Sequence, residues 1–541
     1  MDHPERISLV EMLERAAEAA PDKIALWFDD EPVTYQQLVD RSRAVANMLA
    51  ELGVKPGDTV ASLMQNCAEH VYLLFAVAYL GALEVPINTT FRGYFLSHQL
   101  RTAKSSIVLA DADLAQHVAQ VAPDLPDLSR IMVRGDANGL DLPASVEVGR
   151  TGDLLGGERR RPKHYEPRWN DPCTIQFTSG TTGPSKGAVL SQNFMINWAR
   201  QFSAGWFRSP QDTFYAATPL FHMAAKGVGV LGAIYRGASC AVDSRFSVSS
   251  FWDRVEKYEA VSTILLGPML MMLWNLPSRE SDRDVPLRAP VAAPIPPDLH
   301  RKMEERWNWQ FLGFYGLSEA APLFIGGITE PLEPGTVGKV NSETFDVAIV
   351  DDDDYPLPPG AVGEIVCRPR KPHVMFEGYF GNDSATVAVT RNLWFHTGDL
   401  GRIDAEGNFS FVDRKKDYLR RRGENISSFE VERAVEQHPA IAEAAAIAVP
   451  SELTEDEVKI CVVLKPGATL SPEALLEHCV GNMPYFAVPR YIEFLDELPH
   501  TPTQKVQKYK LREAGVTPST WDREVAGYRV TREGLERAAS G

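Results

Sequence analysis

No stretch of this chain narrows its fold as tightly as the ten residues from Thr178 to Gly187, which read Thr-Ser-Gly-Thr-Thr-Gly-Pro-Ser-Lys-Gly. Three glycines, three threonines, two serines and one lysine follow the apolar run Cys173–Phe177, which reads as a strand. The combination suits a mobile loop closing over phosphates. Glycine lets backbone amides approach an anion, hydroxyls add donors, and Lys186 offers a movable positive charge. A Walker A loop is a poor reading, because Lys186 stands between Ser185 and Gly187 rather than directly ahead of a Ser or Thr. The competing reading is an ordinary Gly/Ser/Thr surface turn. A strand before the loop and a helix after it, capped by Ser191, weigh against that.

At 541 residues the chain should hold more than one domain, since single cores stop growing near about 250–300 residues. Hydrophobic content of 44% and charged content of 23% fit a soluble globular protein. A net charge of −17 disfavours a nucleic-acid partner, which wants a basic surface. The longest apolar run, Val71–Leu83, is too short to span a bilayer and is interrupted by Gly81. The charged N-terminus does not resemble a signal peptide. Six scattered cysteines without a Cys-x-x-Cys pair indicate neither zinc nor a disulfide framework, so a cytoplasmic location is expected.

Helical and strand patterns alternate along the first three quarters of the chain. Thr34 and Gln37 form a capping-box signature ahead of a helix with Leu38, Val45, Leu49 and Leu52 on one face, ended by Gly53. A strand over Thr59–Met64 and a helix over Val71–Leu83 follow, and the repeated unit predicts doubly wound α/β layers. After the loop, Phe194, Trp198 and Phe202 recur every four residues on the helix opened by Ser191. The acidic run Asp351–Asp354 reads as a solvated hairpin turn. Beyond Phe411 a charged stretch, Val412–Ser428, marks a boundary. A compact α+β set comes after it: a helix with Ser427 and Glu430 as capping box, strands at Ala444–Val449, Val458–Leu464 and Tyr491–Leu495, and a helix at Ser471–Cys479.

Three further motifs occur in order: FYGLSEA (Phe314–Ala320), WFHTGDLGRID (Trp394–Asp404) and LPHTPTQKVQKYKLR (Leu498–Arg512). Together with the Gly-rich loop and the charged stretch, they resemble the acyl-adenylate-forming enzymes, the superfamily of acyl-CoA synthetases, aryl-CoA ligases, luciferases and adenylation domains. The resemblance covers nearly the whole chain. Within it, the stretch Arg422–Arg490 and the sequence PLFHMAAKG look most similar to the carnitine/crotonobetaine-CoA ligase branch.

The resemblance implies an α/β fold: a large multi-subdomain N-terminal domain of doubly wound sheets over 1–412 and a hinge at 413–417 with Lys416 as pivot. A small mobile α+β C-terminal domain would cover 418–512, with a tail over 513–541. It implies an ATP-dependent carboxylic acid–CoA ligase using ATP, Mg²⁺ and coenzyme A. In that reading Thr178, Ser179, Gly180, Thr181, Thr182, Gly183 and Lys186 hold the β- and γ-phosphates. Glu319 ligates Mg²⁺, Phe314, Tyr315 and Gly316 line the adenine slot, and Ser318 lies near the α-phosphate. Asp399 and Arg414 take the ribose; a carboxylate can accept from both hydroxyls. Lys505 bridges the acyl carboxylate and the α-phosphate, then withdraws as the small domain rotates. The Arg422–Ser427 loop replaces it to form the pantetheine tunnel, with Arg422 and Gly423 against CoA.

The residues alone leave alternatives. Asp399 also suits a turn cap, Glu319 a surface carboxylate, and Lys505 the start of a basic solvated tail with Lys508 and Lys510. Arg420–Arg422 reads equally as a grip on a CoA phosphate or as an exposed cluster. His222 either gates the carboxylate site or packs at the edge of the core. Lys226 either faces a polar group of the substrate or snorkels to solvent. His222, Lys226, Val228, Leu231, Phe324 and Ile325 are the expected acyl-pocket walls. Gln504 stands where the family has glycine, and Val291-Ala292-Ala293-Pro294 where it has Gly-Gly-Ala-Pro, which would narrow the acyl or adenine pocket. A small-molecule carboxylic acid is the expected partner, with no nucleic acid and no integral membrane segment, and a homodimer is compatible. The readings held beside the ligase are a degenerate nucleotide-binding member and transfer to a carrier protein. Against the latter, only about thirty residues follow Leu511.

Overall fold

A computed structural model describes residues 6–163, 165–178, 184–206, 209–414, 418–421, 424–451, 456–499 and 506–537. Ser179, Gly180, Thr181, Thr182, Gly183, Lys416, Arg422, Gly423, Gln504 and Lys505 lie outside them.

Two wound sheets form the heart of the larger part. A seven-stranded sheet runs in the order Glu147–Arg150, Arg130–Arg134, Ile107–Asp111, Thr59–Leu63, Leu83–Pro86, Pro172–Thr178, Lys186–Ser191. Its strands are parallel except for the last pair. A six-stranded sheet is likewise parallel apart from the edge pair Ile24–Phe28 and Glu31–Thr34. The capping box at Thr34 and Gln37 is formed in both directions, and the helix it opens runs over Tyr35–Glu51. The apolar helix is Ala68–Leu80 rather than Val71–Leu83. Gly81 ends it in the left-handed conformation at φ +67°, and Leu83 already belongs to the next strand. A side chain at Gly81 would also run into the Tyr165 ring, 2.5 Å from an added Cβ.

A third layer is not the repeated α/β unit that the first 100 residues suggest. It is an eight-stranded antiparallel sheet that begins at Gly313–Tyr315 and includes Trp394–Ile403 and Asn408–Arg414. Asp351–Asp354 closes a hairpin there, but Asp354 is not merely solvated: it accepts from Arg391 and Asn392.

Strand pairing extends into the first two residues of the segment expected as the hinge. Asp413 and Arg414 still pair with Leu400 and Asp399 in the large sheet, whereas Tyr418–Arg421 pairs with Glu424–Ser427. Among the described residues the small part is a four-stranded sheet with three helices, Ser428–Glu436, Pro472–Asn482 and Lys508–Ala514. Its fourth strand, Trp521–Asp522, and the hairpin Tyr528–Thr531/Gly534–Arg537 come from the segment expected as a tail. Val530 is buried in the small core, with Trp521 and Tyr528 packed against it. The two parts share apolar surface, because Phe95 of the large one is buried among Leu419, Ile426 and Val431.

Candidate active site

Thr178 and Lys186 are the last paired residues of an antiparallel hairpin, so they flank the mouth of the Gly-rich loop. The helix after the loop therefore does not follow directly. A strand, Lys186–Ser191, intervenes, Lys186 begins it, and Ser191 Oγ then accepts from the Phe194 amide at 3.2 Å to open the helix Gln192–Trp206.

Glu319 faces this mouth. It sits in a tight turn closed by reciprocal Leu317 and Ala320 backbone bonds, and it is buried. Its Oε1 accepts from the Tyr379 hydroxyl at 2.7 Å and from Thr178 Oγ1 at 3.4 Å. Burial pushes the carboxyl above its ordinary range, and the Tyr379 and Thr178 hydroxyls and the Lys186 charge pull it back. Burial likewise lowers the Lys186 ammonium, which Glu319 partly restores. Glu319 is thus no surface carboxylate. The bend that carries it depends on Gly316, since an added Cβ would lie 2.5 Å from that of Ala321. Ser318 is half-buried in the same turn.

Tyr379 was not legible as a site residue. Its backbone runs beside the hairpin strand, with Glu377 N and Phe380 N donating to Val189 O and Gly187 O, both at 2.8 Å. That pairing sets the phenol between Glu319 and the Lys186 ammonium, which lies 5.2 Å from the ring centre. The signal available was only one aromatic among several in the run Val374–Phe380.

Asp399 is also buried, and its Oδ2 accepts from the Tyr315 hydroxyl at 2.7 Å. Backbone pairing sets Arg414 opposite it. Phe314 and Tyr315 do not share a face, because side chains alternate along a strand. Tyr315 packs toward Phe409 and Phe411, whereas Phe314 meets the aromatic ridge of the helix after the loop, 5.0 Å from Phe202. Only Tyr315 of the pair therefore stands with Asp399.

The expected acyl-pocket residues are scattered. Val228 and Leu231 are fully buried in the main core, on a π-helical stretch Ala224–Leu231, while Phe324 lies in another cluster, stacked on Phe409 at 3.8 Å. Lys226 neither snorkels nor reaches an open pocket. Its Nζ is 2.6 Å from Glu84 Oε2, with both side chains buried. Val291 and Ala292 are buried in two different clusters on opposite faces of their strand. His222, by contrast, is 42% exposed, and its Nε2 is 3.8 Å from Glu424 of the Tyr418–Ser427 hairpin. In that hairpin Arg421 is no exposed grip: it is buried, paired with Glu457, and donates to Phe486 O and Val488 O. Among the described residues no group of three or more His, Cys, Asp and Glu could hold a metal on its own.

Two wound sheets, an antiparallel layer and a small domain docked over a Gly-rich hairpin make up the architecture of the adenylate-forming enzymes. The chain belongs to the AMP-binding enzyme family: the family pattern matches residues 13–380, and that of the AMP-binding enzyme C-terminal domain matches residues 430–505. It is similar to the crotonobetaine/carnitine–CoA ligase of Salmonella heidelberg (strain SL476), 29% identical over 522 residues, covering 93% of this chain and 99% of that one. Among solved structures, o-succinylbenzoate CoA synthetase from Bacillus subtilis, a double mutant bound to a product analogue, superposes with a TM-score of 0.79. It is 25% identical and covers 94% of this chain and 99% of that one. The amide bond synthetase of Marinactinospora thermotolerans gives 0.76 at 25% identity, with the same coverage.

Proposed function

We propose that this protein is an ATP-dependent carboxylic acid–CoA ligase that forms an acyl-adenylate and then an acyl-CoA thioester. In the first step a carboxylate oxygen attacks the α-phosphorus, a new P–O bond forms, and the bond to pyrophosphate breaks. In the second, the CoA sulfur bonds to the acyl carbon, the C–O bond to AMP breaks, and the thiol proton is released. The observation that carries this reading is the meeting of Thr178 Oγ1 and Glu319 Oε1 at the mouth of the Gly-rich hairpin.

Residues 178–186 take the β- and γ-phosphates, and Asp399 takes the ribose hydroxyls, with Tyr315 holding its carboxylate in place. Glu319 and the Thr178 hydroxyl are hard oxygen donors. They fit Mg²⁺, which is bound by one or two carboxylates and draws its other ligands from substrate phosphates and water. Bound there, the ion would neutralise charge on the phosphate oxygens. Lys505 orients the attacking carboxylate during the first step. The approach of Glu424 to His222 supports a second arrangement, in which the Tyr418–Ser427 hairpin borders the acyl site for the thiol. Six free, buried cysteines support a reducing, cytoplasmic setting. Among the described residues no helix is long and apolar enough to cross a membrane.

Pyrophosphate release tests this, measured with ATP, Mg²⁺ and a panel of acids that includes crotonobetaine, carnitine, o-succinylbenzoate and simple aliphatic acids, each with and without CoA. Acid-dependent release with thioester only when CoA is present is expected. Nucleotide binding without any acid-dependent release would leave the degenerate binding protein standing. Amide formed from an added amine, with no thioester, would make CoA the wrong acceptor.

A further inference from the structure

The residue beside Lys186 is gripped from both sides of the domain junction. His98 Nε2, from the large-domain helix Gly93–Ala103, donates to Ser185 O at 2.8 Å. Burial lowers the His98 pKa, against the raising pull of its bond to Ser185. From the small domain, Glu430 Oε1 accepts from the Ser185 amide at 3.0 Å. Ser427 Oγ caps the Glu430 amide at 3.4 Å, as the capping-box pattern requires, but the carboxylate that the box would return to its own helix reaches across to the loop. Glu430 and Ser185 are both buried. The helix bearing Glu430 packs on apolar residues of the helix bearing His98, so the contact forms only when the small domain is docked.

We propose that Glu430 is a positioning residue that holds the Ser185 amide in place of nucleotide phosphate, so that this docking of the small domain and occupancy of the phosphate loop exclude each other. The inference rests on residues 178–186 binding phosphates. The single Ser185 N–H cannot serve the Glu430 carboxyl and a phosphate oxygen together. Docking thus commits the enzyme to the thiol step once pyrophosphate has left.

The junction also couples docking to a proton. Burial raises the Glu430 carboxyl to about 7, against the lowering pull of Ser185. Tyr94 on the large-domain helix feels the Glu430 charge, Arg433 and Arg101 act on Tyr94 in turn, and His98 holds the other side of Ser185. An undocked, solvated glutamate titrates near ~4.3. The docked state therefore binds a proton between those values, and docking weakens about tenfold per pH unit as pH rises from about 5 to 7, then levels off.

The test measures the half-reactions separately in wild type, Glu430→Ala and Glu430→Gln: ATP–pyrophosphate exchange, and thioester formation from preformed acyl-AMP with CoA. Glu430→Ala should slow the thioester step at least tenfold and leave exchange within about threefold. Glu430→Gln keeps the acceptor and the shape without the titration. The ratio of wild-type to Gln thioester rates should fall as pH rises from 5.5 to 7 and be flat above 8. If Glu430→Ala loses both half-reactions, the Gln ratio decides, and a flat ratio overturns the proposal. An unaltered thioester rate in Glu430→Ala overturns it as well. Absent exchange in wild type would instead overturn the ligase reading.

Discussion

The Tyr379 hydroxyl donates to Glu319 at 2.7 Å while the same ring lies against the Lys186 ammonium. One phenol thus touches both the carboxylate and the cation expected to serve the triphosphate. Its hydrogen bond favours the ionised form of a carboxyl whose pKa burial pushes above the ordinary range.

Tyr379→Phe removes that bond and leaves the ring. The Glu319 pKa should rise, so the acid limb of the adenylation rate moves to higher pH. A hydrogen bond to a charged group contributes about 1.5–3 kcal/mol, so the rate near neutrality should drop about tenfold or more. A pH–rate profile of ATP–pyrophosphate exchange measures both, and an unmoved acid limb would sever Tyr379 from the chemistry.

Asp399→Ala should raise the KM for ATP by ten- to a hundredfold, because two ribose hydroxyls lose an ionised acceptor. Tyr315→Phe only loosens that acceptor, and about threefold is expected. Initial rates against ATP at saturating acid separate them; equal effects would make Tyr315 a direct ligand instead of a holder.

Lys226 and Glu84 form a buried pair, with His70 Nδ1 3.9 Å from Glu84. Burial alone would raise the Glu84 pKa, but Lys226 and His70 more than offset it and hold it below the ordinary value. The pair's contribution is therefore present above the unfolded pKa and is lost as pH falls through the lower folded one. Lys226→Met strands a buried carboxylate and should cost about 3–5 kcal/mol, while Lys226→Met with Glu84→Leu should recover most of that. Urea unfolding measures both, and additive losses would contradict the pairing.

Lys505→Ala should abolish adenylation yet spare thioester formation from preformed acyl-AMP, since only the first step needs a cation between carboxylate and α-phosphate. Stopped assays of each half-reaction check it. Equal loss in both would mean that the lysine serves the small domain's structure.

Much of this site was readable from local pattern. The Gly/Ser/Thr run with Lys186, the Glu319 and Asp399 turns and the caps at Thr34, Ser191 and Ser427 depend on neighbours in sequence. What could not be read depends on partners far along the chain. Tyr379 meets Glu319 across 60 residues, Glu430 meets Ser185 across 245, and Lys226 meets Glu84 across 142. A lysine on an apolar stretch is ambiguous until its counter-ion is placed. Phe314 and Tyr315 were read as one pair because sequence proximity hides the alternation that sends them to opposite faces. Part of the antiparallel layer is hidden for a similar reason: its first strands, Gly313–Tyr315 and Phe324–Gly326, are too brief to show a period.

The acyl-adenylate is the claim on which every role above depends, and isotope transfer tests it most directly. A carboxylic acid labelled with ¹⁸O in both carboxyl oxygens is turned over with ATP and CoA, and the AMP is weighed. Attack of carboxylate on the α-phosphorus followed by thiol attack on the carbonyl predicts one ¹⁸O in every AMP and none in pyrophosphate. Unlabelled AMP, or label in pyrophosphate or inorganic phosphate, would contradict the account.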